Sequence, residues 1–348
     1  MNTLKTIRVG IIGAGANTKL RHIPGLLAQP SVEISAVCNR SLESSEQVAR
    51  QYNIPRVCRH WTEIVSSPEV DAVVIGTWPY LHCPITLAAL AAGKHVLTEA
   101  RMAMNASQAH QMLDASRMHP ELITQIVPAP PTLRVDRTVQ QLLADGFTGE
   151  LYAVELNAAS GQFADFTQPL HWRHDRDLSG MNTISLGIWY ECILRWIGAA
   201  QTVMAMTQVN VRQRRTDAGE LRAISVPDHV DVLAKMECGA QAHFRISDVT
   251  GLSRGSEVWL FGRCGTLRYD ASTDKLFGGH PGDKELSEIA IPPELAGSWR
   301  VEEEFIHAIR GAGRVMRTTF EDGVKYMQFT EAVARSAASG SAVNAQSV

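Results

Sequence analysis

The chain has 348 residues, a length that favours two domains over one compact core. Hydrophobic residues make up 45% and charged residues 20%, and the net charge of -3 comes without a long block of like charge. This balance argues against nucleic acid or an anionic membrane surface as the main partner.

The six cysteines are scattered without a C-x-x-C pair, which is typical of reduced thiols rather than a disulfide framework or a zinc site. The sequence MNTLKTIRVGIIGAG enters a strand-like run without the apolar region and cleavage site of a signal peptide. No window approaches the roughly 18 consecutive apolar residues of a transmembrane helix. We therefore expect a cytoplasmic protein without a membrane partner.

Strand-like and helical patterns alternate over the first third of the chain. The predicted strands are IRVGII (7–12), VEISAVC (32–38), VDAVVIGT (70–77), KHVLTE (94–99) and LITQIV (122–127). The predicted helices are KLRHIPGLLA (19–28), SLESSEQVARQY (41–52), PITLAALAAG (84–93) and NASQAHQMLDASRM (105–118), with Ser41 and Asn105 as N-caps. This alternation predicts a parallel, doubly wound sheet.

The pattern changes at VPAPPTLR (127–134), whose prolines indicate a domain junction. We therefore predict a first domain over 1–127 and a second over 128–348. After a helix at 135–146, strand-like stretches dominate, and two amphipathic helices lie near the end. The strand-like stretches are 150–160, 202–215, 229–238, 240–249 and 256–270.

Several of these stretches alternate apolar and polar residues, which predicts a sheet with one covered face and one face that is polar or shared with a partner subunit. The tail SAVNAQSV (341–348) is expected to be frayed.

A glycine-rich turn, VGIIGAGANT, follows the first strand. Gly13 allows a tight turn, and the missing side chain of Gly15 allows a pyrophosphate to approach the amides at the start of the helix, near Ala16 and Asn17. Thr18 stands where the third glycine of G-x-G-x-x-G is usual, so we expect looser helix packing or a longer turn. In its strand–turn–helix context the motif predicts dinucleotide binding.

The second strand ends in Cys38-Asn39-Arg40-Ser41, where an NAD enzyme usually has an acid for the ribose hydroxyls. Asn39 is neutral, Arg40 is cationic, and Ser41 can donate a hydrogen bond, so the set favours NADP, with NAD possible. The alternative is that Arg40 only stacks on adenine or faces solvent.

The chain resembles the glucose-fructose oxidoreductase/inositol dehydrogenase (Gfo/Idh/MocA) family over nearly its whole length. The resemblance rests on these motifs and on four further stretches: VDAVVIGT, LAALAAGKHVLTE, FGRCGTLRYD and the C-terminal FEDGVKYMQFTEAVARSAASG. The resemblance implies a Rossmann domain followed by an α/β domain with a large, mostly antiparallel sheet. It also implies a small-molecule substrate such as a sugar or cyclitol, and a homodimer or homotetramer assembled through that sheet.

The chain departs from this family at its usual catalytic positions. The family's Glu-Lys-Pro aligns with Glu99-Ala100-Arg101, so the lysine is missing. In LSGMNTISLGIWYEC (178–192), Ser185 falls on the usual aspartate and Trp189 on the usual histidine. We expect both to contact substrate, and the proton chemistry to differ from that of the relatives.

Four residues are candidates for catalysis. Arg101 is a poor base but a good clamp for an anionic or carbonyl oxygen, and its alternative is an ion pair with Glu99. Tyr190 and Glu191 follow Trp189 on the predicted helix, and the alternative for Glu191 is a salt bridge with Arg195 four residues later. His171, in a polar loop, is a further candidate.

Further contacts are assigned to neighbouring positions. Arg173 in the same loop is expected to contact substrate, as the family's Trp-Arg pair implies. The histidines and aspartates of 171–177 do not complete a metal site, so no metal is predicted. Thr77, Trp78 and Glu99 are expected beside the cofactor. His82 is either a proton shuttle there or a cap at the start of its helix.

Three functions remain open at this point. The first is an NAD(P)-dependent dehydrogenase or reductase of a sugar-, cyclitol- or hydroxy-acid-like carbinol, with a non-standard acid/base set. The second is a lyase or hydrolase that retains its cofactor and oxidises the substrate transiently. The third is a non-catalytic dinucleotide-binding sensor.

Overall fold

The computed structural model describes residues 4–348, which separate into two compact units. The first unit takes the described residues up to Pro128 together with Arg300–Val324, and the second takes Ala129–Trp299 and Lys325–Val348. Among the described residues, no helix is both long and apolar enough to cross a membrane.

The first unit alternates strands and helices, as the sequence predicts. Its elements up to Pro128 are β1 (Ile7–Ile12), α1 (Ile23–Leu27), β2 (Val32–Cys38), α2 (Leu42–Tyr52), β3 (Arg56–Val57), α3 (Trp61–Val65), β4 (Ala72–Ile75), α4 (His82–Ala91), β5 (His95–Thr98), α5 (Ala106–Met118) and β6 (Thr124–Ile126). A π-helical turn, Thr18–His22, precedes α1. The side chains of Ser41 and Asn105 cap α2 and α5, as expected.

The strands form one parallel sheet in the order β3-β2-β1-β4-β5-β6. β-Branched runs such as AVVI in β4 are buried on both faces, as a sheet covered by helices on both sides requires. The strand order reverses between β2-β1 and β4-β5. The carboxyl ends of β1 and β4 therefore flank the crevice where doubly wound sheets bind ligands.

The second unit is built on a nine-stranded sheet. Its elements before Trp299 are α6 (Asp136–Ala144), β7 (Leu151–Ala159), α7 (Arg176–Ser179), α8 (Leu186–Ile197), β8 (Ala200–Gln208), β9 (Gln213–Arg215), β10 (Leu221–Ala223), β11 (His229–Met236), β12 (Gln241–Ser247), β13 (Glu257–Gly262), β14 (Thr266–Asp270), β15 (Lys275–Gly279) and β16 (Ser287–Ile289). After Trp299 the chain forms α9 (Val301–Ile309), which belongs to the first unit, then α10 (Phe320–Ser339), whose residues from Lys325 belong to the second, and finally β17 (Val343–Asn344) in the second.

The order of this sheet is β16-β15-β14-β13-β7-β12-β11-β8-β17, and its pairs are antiparallel except for β12 with β7. The predicted fold class, a parallel doubly wound sheet followed by a large mostly antiparallel sheet, is confirmed.

Two of the stretches that were predicted as single strands each contain residues of two strands. The stretch 256–270 is a hairpin of β13 and β14, in which the amide of Gly262 donates to the carbonyl of Gly265. The stretch 202–215 breaks after Gln208, because the carboxylate of Asp228 accepts hydrogen bonds from the amides of Asn210 and Val211.

The tail prediction was wrong. β17 pairs with β8, Ala345 is buried, and the side chain of Gln346 donates to Glu237 at 2.6 Å. Pairing with an existing strand satisfies backbone groups of this terminal segment.

The segment Arg300–Val324 returns to the first unit, which the predicted boundary at 127/128 does not anticipate. The amide of Ile126 donates to the carbonyl of Thr318, and the side chain of Gln125 donates to the carbonyl of Arg317. The segment therefore extends the hydrogen bonding of β6, the last strand of the parallel sheet.

Candidate functional site

The glycine turn lies at the carboxyl end of β1 and has the conformation that the sequence predicts. Gly13 has φ +87, and a Cβ there would lie 2.7 Å from the backbone of Gly76 and Thr77. Gly15 and Ala16 are exposed, and a Cβ on Gly15 would meet only one atom, at 3.7 Å. The turn therefore leaves open the surface that a pyrophosphate requires at a helix start.

Thr18 does not loosen the turn. Its side chain is buried, and its hydroxyl donates to the carbonyl of Gly13 at 3.1 Å. A Cβ on Gly76 would collide with this hydroxyl and with the Gly13 carbonyl. The threonine thus fills the space at the close approach of β1 and β4, where the usual motif has a third glycine.

Asn39 holds the turn to the start of α2. Its Oδ1 accepts the amide of Ala14 at 2.7 Å, and its Nδ2 donates to the hydroxyl of Ser44 at 2.9 Å. Asn39 therefore occupies the place of the usual ribose-binding acid without bringing a negative charge.

Arg40 and Ser41 are exposed beside it. The guanidinium carbon of Arg40 lies 5.4 Å from the centre of the Trp78 ring, a cation–π distance. Trp78 precedes the turn that leads into α4, so the ends of β2 and β4 together present a cationic, aromatic surface.

His82 is fully buried at the first position of α4. Its Nδ1 lies 2.9 Å from the carbonyl of Arg101 and its Nε2 lies 2.9 Å from the carbonyl of Thr77. Burial lowers the pKa of the imidazole. The ring therefore lies between two backbone carbonyls, and it does not cap the helix, whose N-cap is Leu81 without a side-chain cap bond.

Glu99, at the end of β5, belongs to a cluster that the sequence predictions missed. Its Oε1 accepts from the side-chain amide of Asn17 at 2.5 Å and lies 3.0 Å from Nε2 of His22. Nδ1 of the fully buried His22 lies 2.5 Å from Oε1 of Glu302 on α9. Two carboxylates therefore flank one imidazole.

Burial opposes the charge on His22, but the bonds to Glu302 and Glu99 outweigh it and raise the pKa of the imidazole to about 9. Burial likewise opposes the charge on Glu99, yet the bond to His22 holds the pKa of its carboxyl below the ordinary value. At neutral pH the cluster contains one imidazolium and the ionised Glu99.

One sequence pattern could have indicated Glu302. In VEEEFIHAI the buried positions are Val301, Glu302, Phe305, Ile306 and Ala308, so Glu302 is an acid on the apolar face of its helix. A buried acid in that position requires a partner. The identity of the partner, 280 residues away, has no counterpart in the local pattern.

Arg101 is buried, and its peptide bond to Ala100 is cis. The sequence left two roles open for Arg101, a clamp for an oxygen of the substrate and an ion pair with Glu99. The Glu99 carboxylate accepts a hydrogen bond from Asn17 and contacts the His22 ring.

In the second unit, Glu191 and Tyr190 are buried residues of α8. Glu191 pairs with Arg195 at 2.9 Å and accepts the amide of Ala129 at 3.0 Å, which is the salt-bridge alternative. The Tyr190 ring stacks on Phe329 at 3.6 Å, and its hydroxyl accepts the amide of Ala200. Burial raises the pKa of this phenol. These positions favour structural roles over the expected catalytic ones.

The other candidates of this unit lie on and before α8. Ser185 is half-buried at the start of the helix, and Trp189 is buried within it. His171 and Arg173 are exposed at a short helical turn, where the His171 ring accepts the amide of Arg173 at 3.3 Å. Burial lowers the pKa of His171 the most, and the nearby charge of Arg173 lowers it further. Within residues 4–348, no group of three His, Cys, Asp or Glu side chains could hold a metal ion.

Comparison with known proteins agrees with this geometry. Residues 7–125 match the family model described as "Oxidoreductase family, NAD-binding Rossmann fold", and residues 137–268 match the "GFO/IDH/MocA C-terminal domain". Porcine (Sus scrofa) trans-1,2-dihydrobenzene-1,2-diol dehydrogenase is 27% identical over 72% of this chain and 71% of its own. A Streptomyces antibioticus dTDP-3,4-didehydro-2,6-dideoxy-alpha-D-glucose 3-reductase is 26% identical over 94% of this chain and 96% of its own.

Among solved structures, levoglucosan dehydrogenase in complex with NADH and L-sorbose has a TM-score of 0.86 at 20% identity, over 98% of this chain and 99% of that one. At this identity the likeness concerns the fold. The two family models together cover most of the chain, and the turn at Gly13 has the open surface that their cofactor requires. The chain therefore belongs to the GFO/IDH/MocA family of oxidoreductases and carries that family's NAD-binding Rossmann domain.

Proposed function

We propose that this protein is an NADP-preferring dehydrogenase or reductase of a carbinol or carbonyl on a sugar, a cyclitol or a related hydroxylated ring. The observation that carries the coenzyme preference is the end of β2, where Asn39 is bonded to Ala14 and Ser44 while Arg40 and Ser41 are exposed. An exposed guanidinium that forms no ion pair with a carboxylate of residues 4–348 suits a 2′-phosphate, and the end of β2 has no acid to accept the two ribose hydroxyls.

The substrate class is supported by the relatives. Their names include a cyclic diol dehydrogenase and a deoxysugar reductase, and a structural neighbour binds L-sorbose. These relatives are distant, so the proposal names a chemical class, a hydroxylated ring, and no single compound.

The bound nicotinamide would accept or donate the hydride. The chain's own residues would hold and orient it: the amides beyond Gly15 would bind the pyrophosphate, Arg40 and Ser41 the 2′-phosphate, and Glu99 the nicotinamide ribose. Arg101 is proposed to stabilise an anionic or carbonyl oxygen.

Proton handling differs from the usual mechanism in this proposal. Tyr190 and Glu191 are buried and bonded, so they are left out of the catalytic set. His171 remains as the exposed group that accepts a proton, because its lowered pKa keeps the imidazole neutral at physiological pH. Arg173, Ser185 and Trp189 are proposed to contact the substrate.

Calorimetric titration of the full chain with NADP and with NAD separates this proposal from its alternatives. We expect binding of both, tighter for NADP. Failure to bind either dinucleotide would overturn the proposal. Binding followed by release of a leaving group from a glycoside, without net reduction of the coenzyme, would instead support the lyase or hydrolase. Binding without any conversion of ring polyols or sugars would support the sensor.

We also propose that the chain forms a homodimer or homotetramer through the open face of the nine-stranded sheet. Met204 and Leu233 are cross-strand partners on β8 and β11, each about half exposed, and Met206 nearby is 79% exposed. Adjacent exposed apolar side chains on a sheet face are typical of a subunit interface. Light scattering should give a dimer or tetramer for the full chain and a smaller particle for Met206→Lys, and a monomer for the unaltered chain would contradict this proposal.

A further inference from the structure

We propose that His22 and Glu302 are positioning residues for the dinucleotide site, which they act on through Glu99 and Asn17. The inference rests on the proposed function in requiring that the first unit bind a nicotinamide dinucleotide. It assigns a role in that binding to α9, a helix that follows Trp299 of the second unit in sequence but belongs to the first unit.

The cluster of Asn17, His22, Glu99 and Glu302 joins the glycine turn after β1 to the residue after β5, near the point where the strand order reverses. Asn17 ends the glycine turn after β1, and Glu99 ends β5, next to β4. The 2.5 Å bond from Asn17 to Glu99 connects these segments directly, and the 3.0 Å contact of His22 lies on the same carboxylate oxygen. Oε2 of Glu99 lies 3.3 Å from the amide of Ala100, so the same carboxylate also orients the Ala100-Arg101 segment.

Glu302 completes the cluster because α1 leaves room for it. A Cβ on Gly25 would lie 2.7 Å from Oε2 of Glu302 and 2.9 Å from its Cδ. Gly25 lies inside α1, where glycine is less favourable than alanine by roughly 0.5–1 kcal/mol. The close approach of the Glu302 carboxylate supplies a physical reason for glycine at this position.

The imidazole must donate from both nitrogens to satisfy both carboxylates, and only the protonated ring has two donors. The charged and titratable groups that face it are Glu99 after β5 and Glu302 on α9, with His82 adding its field at Glu99. The ring therefore remains an imidazolium until the pH exceeds its raised pKa, about 9. Above that pH one of the two bonds is lost and Glu99 is held less firmly.

The test is a calorimetric titration of NADP into the full chain and its variants between about pH 7 and about pH 10. Binding to the unaltered chain should weaken as the pH rises through about 9. Glu302→Gln should weaken binding roughly tenfold at neutral pH, the scale of a lost charged hydrogen bond. It should also move the pH-dependent weakening downward by about one unit or more, because His22 loses a carboxylate partner.

Glu303→Gln is the matched control, since Glu303 lies on the same helix but pairs with Arg300 at the surface. It should bind NADP with the pH profile of the unaltered chain. Gly25→Ala should weaken NADP binding as Glu302→Gln does. In a chain that also carries Glu302→Ala, Gly25→Ala should weaken NADP binding much less. Circular dichroism of each variant identifies those that do not fold, and the pH profile of the unaltered chain remains informative if one fails.

If the unaltered chain binds no dinucleotide, the proposed function fails. If it binds NADP with an affinity that does not change through about pH 9, or if Glu302→Gln folds and matches Glu303→Gln across the range, this inference fails while the proposed function stands.

Discussion

Nδ1 of His22 lies 2.5 Å from Oε1 of Glu302, although 280 residues separate them in sequence. The contact ties the first helix after the glycine turn to a segment that the chain reaches only after completing most of the second unit. Both side chains are almost fully buried, so the interaction is weakly screened by solvent. The arrangement around the glycine turn therefore depends on residues from both ends of the chain.

Stability should fall in alkaline solution because of this pair. The folded pKa of His22, about 9, exceeds its ordinary value of 6.5, so its contribution is fully present below pH 6.5 and is lost as the pH rises through about 9. The loss should be on the order of 3 kcal/mol. Urea unfolding across this range measures it. His22→Gln should flatten the profile, and an equal slope in both proteins would show that another group is responsible.

The relative affinity for NADP and NAD should depend on residues 39 and 40. Arg40→Ala should weaken NADP by roughly tenfold and NAD by much less, because only NADP carries the phosphate that the guanidinium binds. Asn39→Asp should shift preference toward NAD, since the aspartate can still accept from Ala14 and the Ser44 hydroxyl can donate to it. Dissociation constants for both coenzymes provide the measurement. Equal losses for NADP and NAD in Arg40→Ala would refute the assignment.

Glu191 should matter for stability rather than for proton transfer. Its carboxylate pairs with Arg195, which also contacts Asp136 at 3.0 Å. Because Arg195 keeps Asp136 as a partner, Glu191→Gln should lower the free energy of unfolding by about 1–3 kcal/mol, the scale of a lost buried hydrogen-bond partner. Thermal or urea unfolding provides the measurement. A variant with unchanged stability and a large loss of turnover would restore Glu191 as a catalytic residue.

The C-terminal tail should contribute to the stability of the second unit. Deleting residues 343–348 removes the pairing of β17 with β8, the buried Ala345 and the bond from Gln346 to Glu237. We expect a loss of about 1–3 kcal/mol in the free energy of unfolding. Gln346→Ala, which removes only the side-chain bond, should lose less. A truncated chain as stable as the full one would indicate that the tail contributes no net stability.

Local sequence was sufficient for much of the fold. The β-branched runs, the caps at Ser41 and Asn105 and the glycine turn at Gly13 each depend on residues close in sequence, so their patterns predict them. The pairing of β17 and the break after Gln208 depend on distant partners, β8 and Asp228, and no local pattern contains them.

The same distinction applies to the candidate site. The lack of an acid at the end of β2 could be interpreted from Asn39 and Arg40 alone. The cluster of His22, Glu99 and Glu302 could not, because its members come from three separate segments. The interior position of Glu191 was visible only as an i,i+4 spacing with Arg195, one of two alternatives that sequence left open.

We propose that this member of the family, which lacks the usual lysine, still transfers a hydride to and from a nicotinamide. The most direct measurement follows the absorbance of reduced nicotinamide while the full chain is incubated with NADP or NAD and a panel of cyclic diols, cyclitols and sugars. We expect reduction of the coenzyme with at least one hydroxylated ring, faster with NADP. Absence of any change with either coenzyme, in a protein that calorimetry shows to bind both, would contradict the claim.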